Sequence, residues 1–170
     1  MQDERFTLAM LVNNQAGVLT RVSSLFGRRG FNIDSLSVGE TQDPLISRIT
    51  ILTSGDERLR EQIVRQLEKL HDVIKVEVMD EARTVLRELM LIKVQVPPDK
   101  LGQVQESANV FRAKIVDLTP QSVTAEITGE KSKLDAFIAL METYGITELC
   151  RTGLTAIGRG DYTLQAQQEE

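Results

Sequence analysis

The chain has 170 residues, 41% of them hydrophobic and only 4% aromatic, and its formal net charge is −5; a chain of this length can form one medium core or two small ones. Its charge is spread evenly, with 10 Lys and Arg against 12 Asp and Glu in residues 1–80 and 10 against 13 in residues 81–170. This composition excludes the basic surface that nucleic acid or an anionic membrane would require, and it offers few aromatic rings for base stacking.

In chain order, the first half predicts a strand, a helix, two strands, a second helix and a fourth strand. Strands are indicated by apolar and β-branched runs bounded by turn formers, and helices by apolar residues that recur every three or four positions. The predicted strands are 6–12, 31–40, 45–53 and 73–78, and the helix stripes are Val18, Leu19, Val22, Leu25 and Phe26, and Leu59, Ile63, Leu67 and Leu70. The segment 41–44 predicts the turn of a hairpin.

The second half predicts the same order with a weaker pattern. Its strands are 86–96, 114–118, 122–128 and 146–157, and its helix stripes are Leu101, Val104, Ala108 and Phe111, and Leu134, Phe137, Ile138 and Met141. The expected fold class is therefore α+β, with two ferredoxin-like βαββαβ modules. Polar residues near 80–83 interrupt the apolar pattern, which predicts domains at 1–80 and 81–158 and a polar, frayed C-terminal tail at 159–170.

A βαββαβ module forms an antiparallel sheet with both helices on one face. We expect the opposite face and the outer strands to be left uncovered. Because such surfaces favour pairing between copies, the fold predicts a homo-oligomer.

The sequence has no group of residues typical of a catalytic or metal-binding site. His71 is the only histidine and Cys150 the only cysteine, so neither a Cys/His pair with supporting context nor a cysteine-based metal cluster is predicted. Cys150 is expected to be a small buried residue. The segment Gly27–Gly30 lies at a helix end, where its glycines fit a cap better than a phosphate loop. A single cysteine fits a reducing cytoplasm, and a polar N-terminus without a long apolar run predicts that the protein is not secreted. Because catalytic pairs are missing, we expect that the chain is not an enzyme.

One loop could bind a ligand, namely residues 13–17 before the first helix. A helix start presents unpaired N–H groups and a partial positive charge, which suit a carboxylate. Gly17 would allow close approach to the backbone, and Asn14 offers both a donor and an acceptor to a zwitterion. From spacing alone, a simpler interpretation stays open in which Asn14 caps the helix and Gly17 relieves a tight turn.

An ordered series of segments resembles the small regulatory subunits of acetolactate synthase, also called acetohydroxyacid synthase. The resemblance covers nearly the whole chain, so it is more specific than a single Asn-x-x-Gly-Val-Leu motif, which many ACT domains share. The segments that carry it are Leu11–Val22, Leu25–Leu36, Asp43–Pro44 with Ser47–Arg48, Arg87–Val94, Phe111–Asp117, Gly129 with Lys133–Phe137, Arg151–Gly153 and Gly158–Gly160.

The resemblance implies an N-terminal ACT domain, a C-terminal ferredoxin-like domain and a homodimer whose ACT domains face each other. It also implies a separate large catalytic subunit, which would hold thiamine diphosphate, magnesium and any flavin, while this chain would hold no cofactor or metal. The small subunit would activate that enzyme in branched-chain amino acid biosynthesis and confer feedback inhibition by valine, with leucine or isoleucine as other effectors.

By the same resemblance, the effector site would contain Asn14, Gly17, Val18 and Leu19 of one chain and Asn32 and Ile33 of its partner. No catalytic residue is expected. An alternative is an ACT-domain transcriptional regulator that responds to an amino acid, although the sequence contains neither a helix-turn-helix pattern nor a basic ribbon.

Overall fold

The computed structural model describes residues 4–164. Contacts divide the chain into two compact units. The first runs to Leu86 and resumes at Leu154, and the second is Arg87–Gly153. The predicted linear domains, 1–80 and 81–158, stay a prediction. The two units have different bounds, because residues 154–164 pack with the first unit.

The first unit is an antiparallel four-stranded sheet with two helices on one face. Its strand order is β2-β3-β1-β4, so β2 and β4 are the edges. The elements are β1 (Glu4–Asn13), α1 (Val18–Arg28), β2 (Ser35–Glu40), β3 (Ile46–Gly55), α2 (Glu57–Leu67) and β4 (Val73–Val78). This is the predicted βαββαβ order.

Alternation along β1 produces the first core. Every second residue of the strand points to the helices, and the buried side chains on that face are Phe6, Leu8, Met10 and Val12. The predicted helix stripes meet them with Val22, Phe26, Ile63 and Leu67. At the start of α2, the Asp56 side chain accepts a hydrogen bond from the Leu59 N–H at 2.7 Å, which caps that helix.

The second unit repeats this arrangement around β5. Its sheet has the order β6-β7-β5-β8, and β9 also pairs with β5, a strand that begins in the first unit. The elements are β5 (Thr84–Gln95), α3 (Leu101–Val110), β6 (Lys114–Leu118), β7 (Ser122–Gly129), α4 (Lys131–Met141) and β8 (Ile146–Arg151). The next strand along the chain, β9 (Thr155–Gly158), belongs to the first unit. The predicted fold class, two ferredoxin-like modules, is confirmed.

Two predicted strands differ from the observed ones by more than a shift of one or two residues at their ends, and the reasons are local. The predicted strand 146–157 is two strands, because Gly153 between them has a left-handed φ of 85° that interrupts an extended chain. The predicted strand 31–40 begins only at Ser35. Phe31 belongs to the turn that ends α1 and not to the strand, because its N–H donates to the Phe26 carbonyl oxygen at 3.0 Å.

The expectation that the first sheet has an uncovered face is wrong. That face carries Ala9 and Leu11, and both are buried together with Ala156 and Leu164. The covering segment, Leu154–Leu164, is called the C-terminal strap below. Leu164 is only 7% exposed, so residues 160–164 are not a frayed tail; the remainder of the predicted tail, 165–170, lies outside the described residues.

Candidate effector site

The loop between β1 and α1 is fixed by backbone hydrogen bonds to two other parts of the first unit. The Asn13 N–H donates to the Asp72 carbonyl oxygen at 2.9 Å, and the Asn14 N–H donates to the Leu45 carbonyl oxygen at 2.8 Å. Gly17 then turns the chain into the helix with a φ of 86°. This left-handed conformation is one that side chains disfavour, which explains the glycine.

The start of α1 suits an anion. Within the described chain, no side chain caps this helix, and its first turn contains no acidic residue. The partial positive charge of the helix N-terminus is therefore not neutralised by a neighbouring carboxylate in that turn. Gly17 is exposed, so a ligand carboxylate can reach the backbone at this point.

Asn14 is exposed, and its side chain is oriented by two neighbours. Its Nδ2 donates to Glu40 Oε1 at 3.1 Å and to the Pro44 carbonyl oxygen at 2.8 Å. Both contacts use the nitrogen, so the carboxamide oxygen is the atom that can accept from an ammonium group. Glu40 was not predicted from the sequence. The only signal that could have found it is the hairpin, which brings its strand end next to the loop.

Arg21 and Asp72 hold the other side of the loop. Arg21 Nε donates to Asp72 Oδ2 at 2.6 Å, and the Asp72 side chain is buried. A Cβ on Gly17 would lie 3.0 Å from Arg21 Nη1, so the guanidinium group limits what can replace the glycine. His71 Nδ1 lies 3.8 Å from Asp72 Oδ1, but the His71 side chain is 94% exposed. It is a solvated residue at the rim of this cluster.

Replacement of Asp72 by alanine is expected to destabilise the fold by about 1 kcal/mol, because it removes the ion pair with Arg21, whose half-exposed guanidinium can still be solvated by water. Urea unfolding of the variant measures this difference. The matched control is Glu68→Ala. Glu68 is the exposed residue directly after α2, and its variant is expected to unfold like the wild type. Equal stability of Asp72→Ala and the wild type would show that the ion pair contributes nothing.

The other predicted site residues divide into core and surface. Val18 is buried in the first core and can offer only its backbone, whereas Leu19 is 42% exposed beside it. Ile33 is partly buried against the same core. Asn32 is exposed, and its Nδ2 donates to Asp34 Oδ1 at 2.6 Å.

Within one chain, the two groups of site residues do not meet. Asn14 bonds to Leu45 next to β3, whereas the Asn32 carbonyl oxygen accepts from Thr53 Oγ1 at 2.6 Å near the other end of that strand. At roughly 3.3 Å per residue, the two β3 positions are about 26 Å apart. A single site that uses Asn14 and Asn32 therefore needs a second copy of the chain.

Residues 4–164 contain no group of three or more His, Cys, Asp or Glu side chains that is placed to hold a metal ion. None of the helices in this range has the length and apolar character of a membrane-spanning segment. Cys150 is exposed, so the expectation of a buried residue is wrong. It is paired with Leu91 of β5, which is itself exposed and lies on the sheet face away from the helices.

Comparison with known proteins matches both units. A family model described as "AHAS small subunit-like ACT domain" matches residues 8–75, and one described as "Small subunit of acetolactate synthase" matches residues 87–160. The probable acetolactate synthase small subunit of Methanothermobacter thermautotrophicus is 46% identical over 165 residues, which cover 96% of this chain and 98% of the relative.

Two further relatives have similar coverage. The probable acetolactate synthase small subunit of Archaeoglobus fulgidus is 50% identical over 157 residues, covering 92% of this chain and 98% of its own. The crystal structure of the acetolactate synthase small subunit from Thermotoga maritima superimposes with a TM-score of 0.87 at 40% identity, covering 94% of this chain and 99% of the other.

Proposed function

The chain belongs to the family of acetolactate synthase small subunits, and from this premise we propose that it is a non-catalytic subunit that activates a separate catalytic subunit and makes it sensitive to valine. The family resemblance predicted from the sequence is confirmed, because the two family models match most of the chain. The match also favours this function over the DNA-binding alternative. The cytoplasmic location stays a prediction.

The observation that carries the proposal is the position of the two groups of site residues relative to β2. One group is Asn14 with Gly17 and the other is Asn32 with Ile33, and each is called a half-site below. The β2 strand is an edge of the first sheet, and it runs from Ser35, just after Asn32, to Glu40, which contacts Asn14. The half-sites therefore flank opposite ends of one edge strand. An edge strand is a ready template for pairing with another chain.

A twofold dimer through β2 would complete both sites. If two copies of β2 pair antiparallel, the Ser35 end of one strand meets the Glu40 end of the other, because a twofold interface places residue i opposite residue j and j opposite i. Asn32 and Ile33 of one protomer then approach Asn14 and Gly17 of its partner. Val38, in the middle of the strand, is 47% exposed and would be covered by this pairing.

The groups that would line each site match a small apolar amino acid. The first N–H groups of α1 suit its carboxylate, and the carboxamide oxygens of Asn14 and Asn32 can accept from its ammonium group. Leu19 and Ile33 offer apolar surface to its side chain. One methylene in such a site is worth only about 1–3 kcal/mol, so valine, leucine and isoleucine are all expected to bind, with valine as the proposed effector.

Inhibition requires that valine bind one arrangement of the dimer better than the other, since a ligand with equal affinity for both shifts nothing. A site shared between protomers supplies this difference, because its two halves move relative to each other when the interface rearranges. Thiamine diphosphate, magnesium and any flavin would be held by the catalytic subunit, and the chemistry would take place there.

Reconstitution tests this function. The purified chain alone is expected to form no acetolactate, its addition to the large subunit is expected to raise the rate, and valine is expected to lower the raised rate. Calorimetric titration with valine, leucine and isoleucine separately measures the preference. A chain that binds none of the three and leaves the large subunit's rate unchanged would contradict the proposal.

A further inference from the structure

The C-terminal strap is hydrogen-bonded to β2, the strand that flanks both half-sites. The Leu154 N–H donates to Ser35 Oγ at 2.7 Å, and Ser37 Oγ donates to the Leu154 carbonyl oxygen at 2.9 Å. Two serines spaced two apart point to the same face of a strand. Together they hold both backbone groups of one strap residue against the strand, on the sheet face opposite the helices.

The rest of the strap is anchored to the same sheet face. Arg48 Nη2 on β3 donates to the Ala156 carbonyl oxygen at 2.9 Å. Further along, the Arg159 N–H donates to the Arg83 carbonyl oxygen at 2.7 Å, and the Arg83 guanidinium lies 4.6 Å from the centre of the Tyr162 ring. The strap therefore moves with the first sheet unless these contacts break.

A close turn holds the strap in shape. A Cβ on Gly158 would lie 1.9 Å from the Tyr162 carbonyl oxygen, which is closer than any real Cβ contact. Only glycine allows the strap to fold back here, so residues that follow can bring Leu164 into the apolar cluster with Ala9 and Leu11. This cluster fixes the far end of the strap, while the serines hold its beginning.

Polar groups under the strap are incompletely paired. Arg48 Nε and Glu77 Oε2 are buried, and neither has a hydrogen-bond partner within the described part of the chain. Burial lowers the pKa of the Arg48 guanidinium, and the nearby Glu77 carboxylate opposes that shift. Because unpaired buried polar atoms cost free energy, these two atoms weaken the contact between the strap and the sheet.

The strap is also bonded to the second unit. Leu154 directly follows Gly153, the last residue of that unit, and Gly153 has the left-handed φ of 85°. Just before it, Arg151 contacts the carboxylates of Glu88 and Asp135, both within the second unit. Leu154 is thus joined by three peptide bonds to Arg151, which two carboxylates of the second unit hold in place.

We propose that Ser35 and Ser37 are positioning residues through which the strap couples the effector site to the second unit. This proposal rests on the proposed function. In this proposal, an effector bound at Asn32 and Ile33, between two β2 strands, changes the position of β2. The hydrogen bonds of the two serines displace Leu154 with the strand. Because Leu154 is covalently joined to Gly153, the displacement reaches the second unit. Effector binding itself does not use these serines, because their side chains face the strap.

The double variant Ser35→Ala/Ser37→Ala, reconstituted as the full-length chain with the large subunit, separates coupling from binding. Valine affinity by calorimetry is expected to stay within threefold of the wild type, and activation is expected to be unchanged. The fraction of activity that saturating valine removes is expected to fall at least about threefold, because the site is still occupied and only its coupling is lost. The matched control is Ser107→Ala/Ser132→Ala on α3 and α4 of the second unit, which is expected to be inhibited like the wild type.

Hydrogen exchange on the wild-type chain gives a second readout that needs no variant. Valine is expected to change the exchange rate of the Leu154 amide and of amides in the second unit. The coupling role would be overturned if the serine variant were inhibited like the wild type, or if it lost valine binding and inhibition together. It would also be overturned if valine left the exchange rates of the strap amides unchanged. A wild-type chain that does not bind valine would instead overturn the proposed function on which the role rests.

Discussion

Replacement of Gly17 by aspartate is expected to lower valine affinity at least about 100-fold, or close to 3 kcal/mol, while activation of the large subunit is retained. Gly17 is the residue just before α1, where an aspartate carboxylate can itself accept from the first N–H groups of the helix. It would then occupy the place proposed for the effector's carboxylate and repel that charge. Valine titration of the reconstituted enzyme measures the loss.

The matched control for this prediction is Gly17→Ala. It carries the same left-handed strain, about 1 kcal/mol, and the same approach to Arg21 Nη1, but it adds no charge. We expect roughly a tenfold loss of valine affinity from alanine, from displacement of the loop alone. If aspartate left inhibition intact, or if activation disappeared together with inhibition, the loop would serve folding or docking of the large subunit instead.

Replacement of Val38 by aspartate is expected to weaken the homodimer at least about 100-fold, since it places two like charges in a pairing that otherwise buries apolar surface. Sedimentation velocity over a range of concentrations measures this change. Valine binding is expected to fall with the dimer, because each site needs both protomers.

Ile74→Asp is the control on the opposite edge of the same sheet. Ile74 lies on β4 and is 40% exposed, similar to Val38, so the two variants differ mainly in which edge is charged. The control is expected to remain dimeric. If Ile74→Asp dissociated the dimer and Val38→Asp did not, the interface would lie at β4 and not at β2. The proposed shared site would then be contradicted.

Local patterning accounts for what the sequence predicted well. The strands Val73–Val78 and Lys114–Leu118 have the predicted bounds, because turn formers and charged residues enclose short apolar runs on both sides. The helix stripes were found for the same reason, since each buries one face at regular spacing. These features depend on neighbours within a few residues.

The strap was missed because its partners are far away in sequence. The C-terminal sequence around Leu164 is polar and glutamine-rich, and no local pattern shows that Ala156 and Leu164 would pack with Ala9 and Leu11 of β1. One signal was present in β1 itself. Apolar residues such as Ala9 and Leu11 follow the helix-facing ones without alternation, and a strand that is apolar on both sides predicts burial on both faces.

The candidate site was predicted only in part for the same reason. Gly17 and the helix start are local features, and the sequence indicated them directly. The Asn14–Glu40 contact depends on how the hairpin folds beside the loop. That Asn14 and Asn32 flank opposite ends of β2 becomes evident only once the strand order is known.

Mixing two defective chains tests the shared site most directly. Asn14→Ala and Asn32→Ala are each expected to abolish valine binding in their homodimers, whereas a mixed dimer carries one site with both alanines and one with both asparagines. An equal, re-equilibrated mixture is therefore expected to recover about a quarter of the wild-type valine sites, counted by calorimetry. If the mixture binds no more valine than either variant alone, the two asparagines belong to the same protomer's site or to none, and a cleft shared between protomers is contradicted.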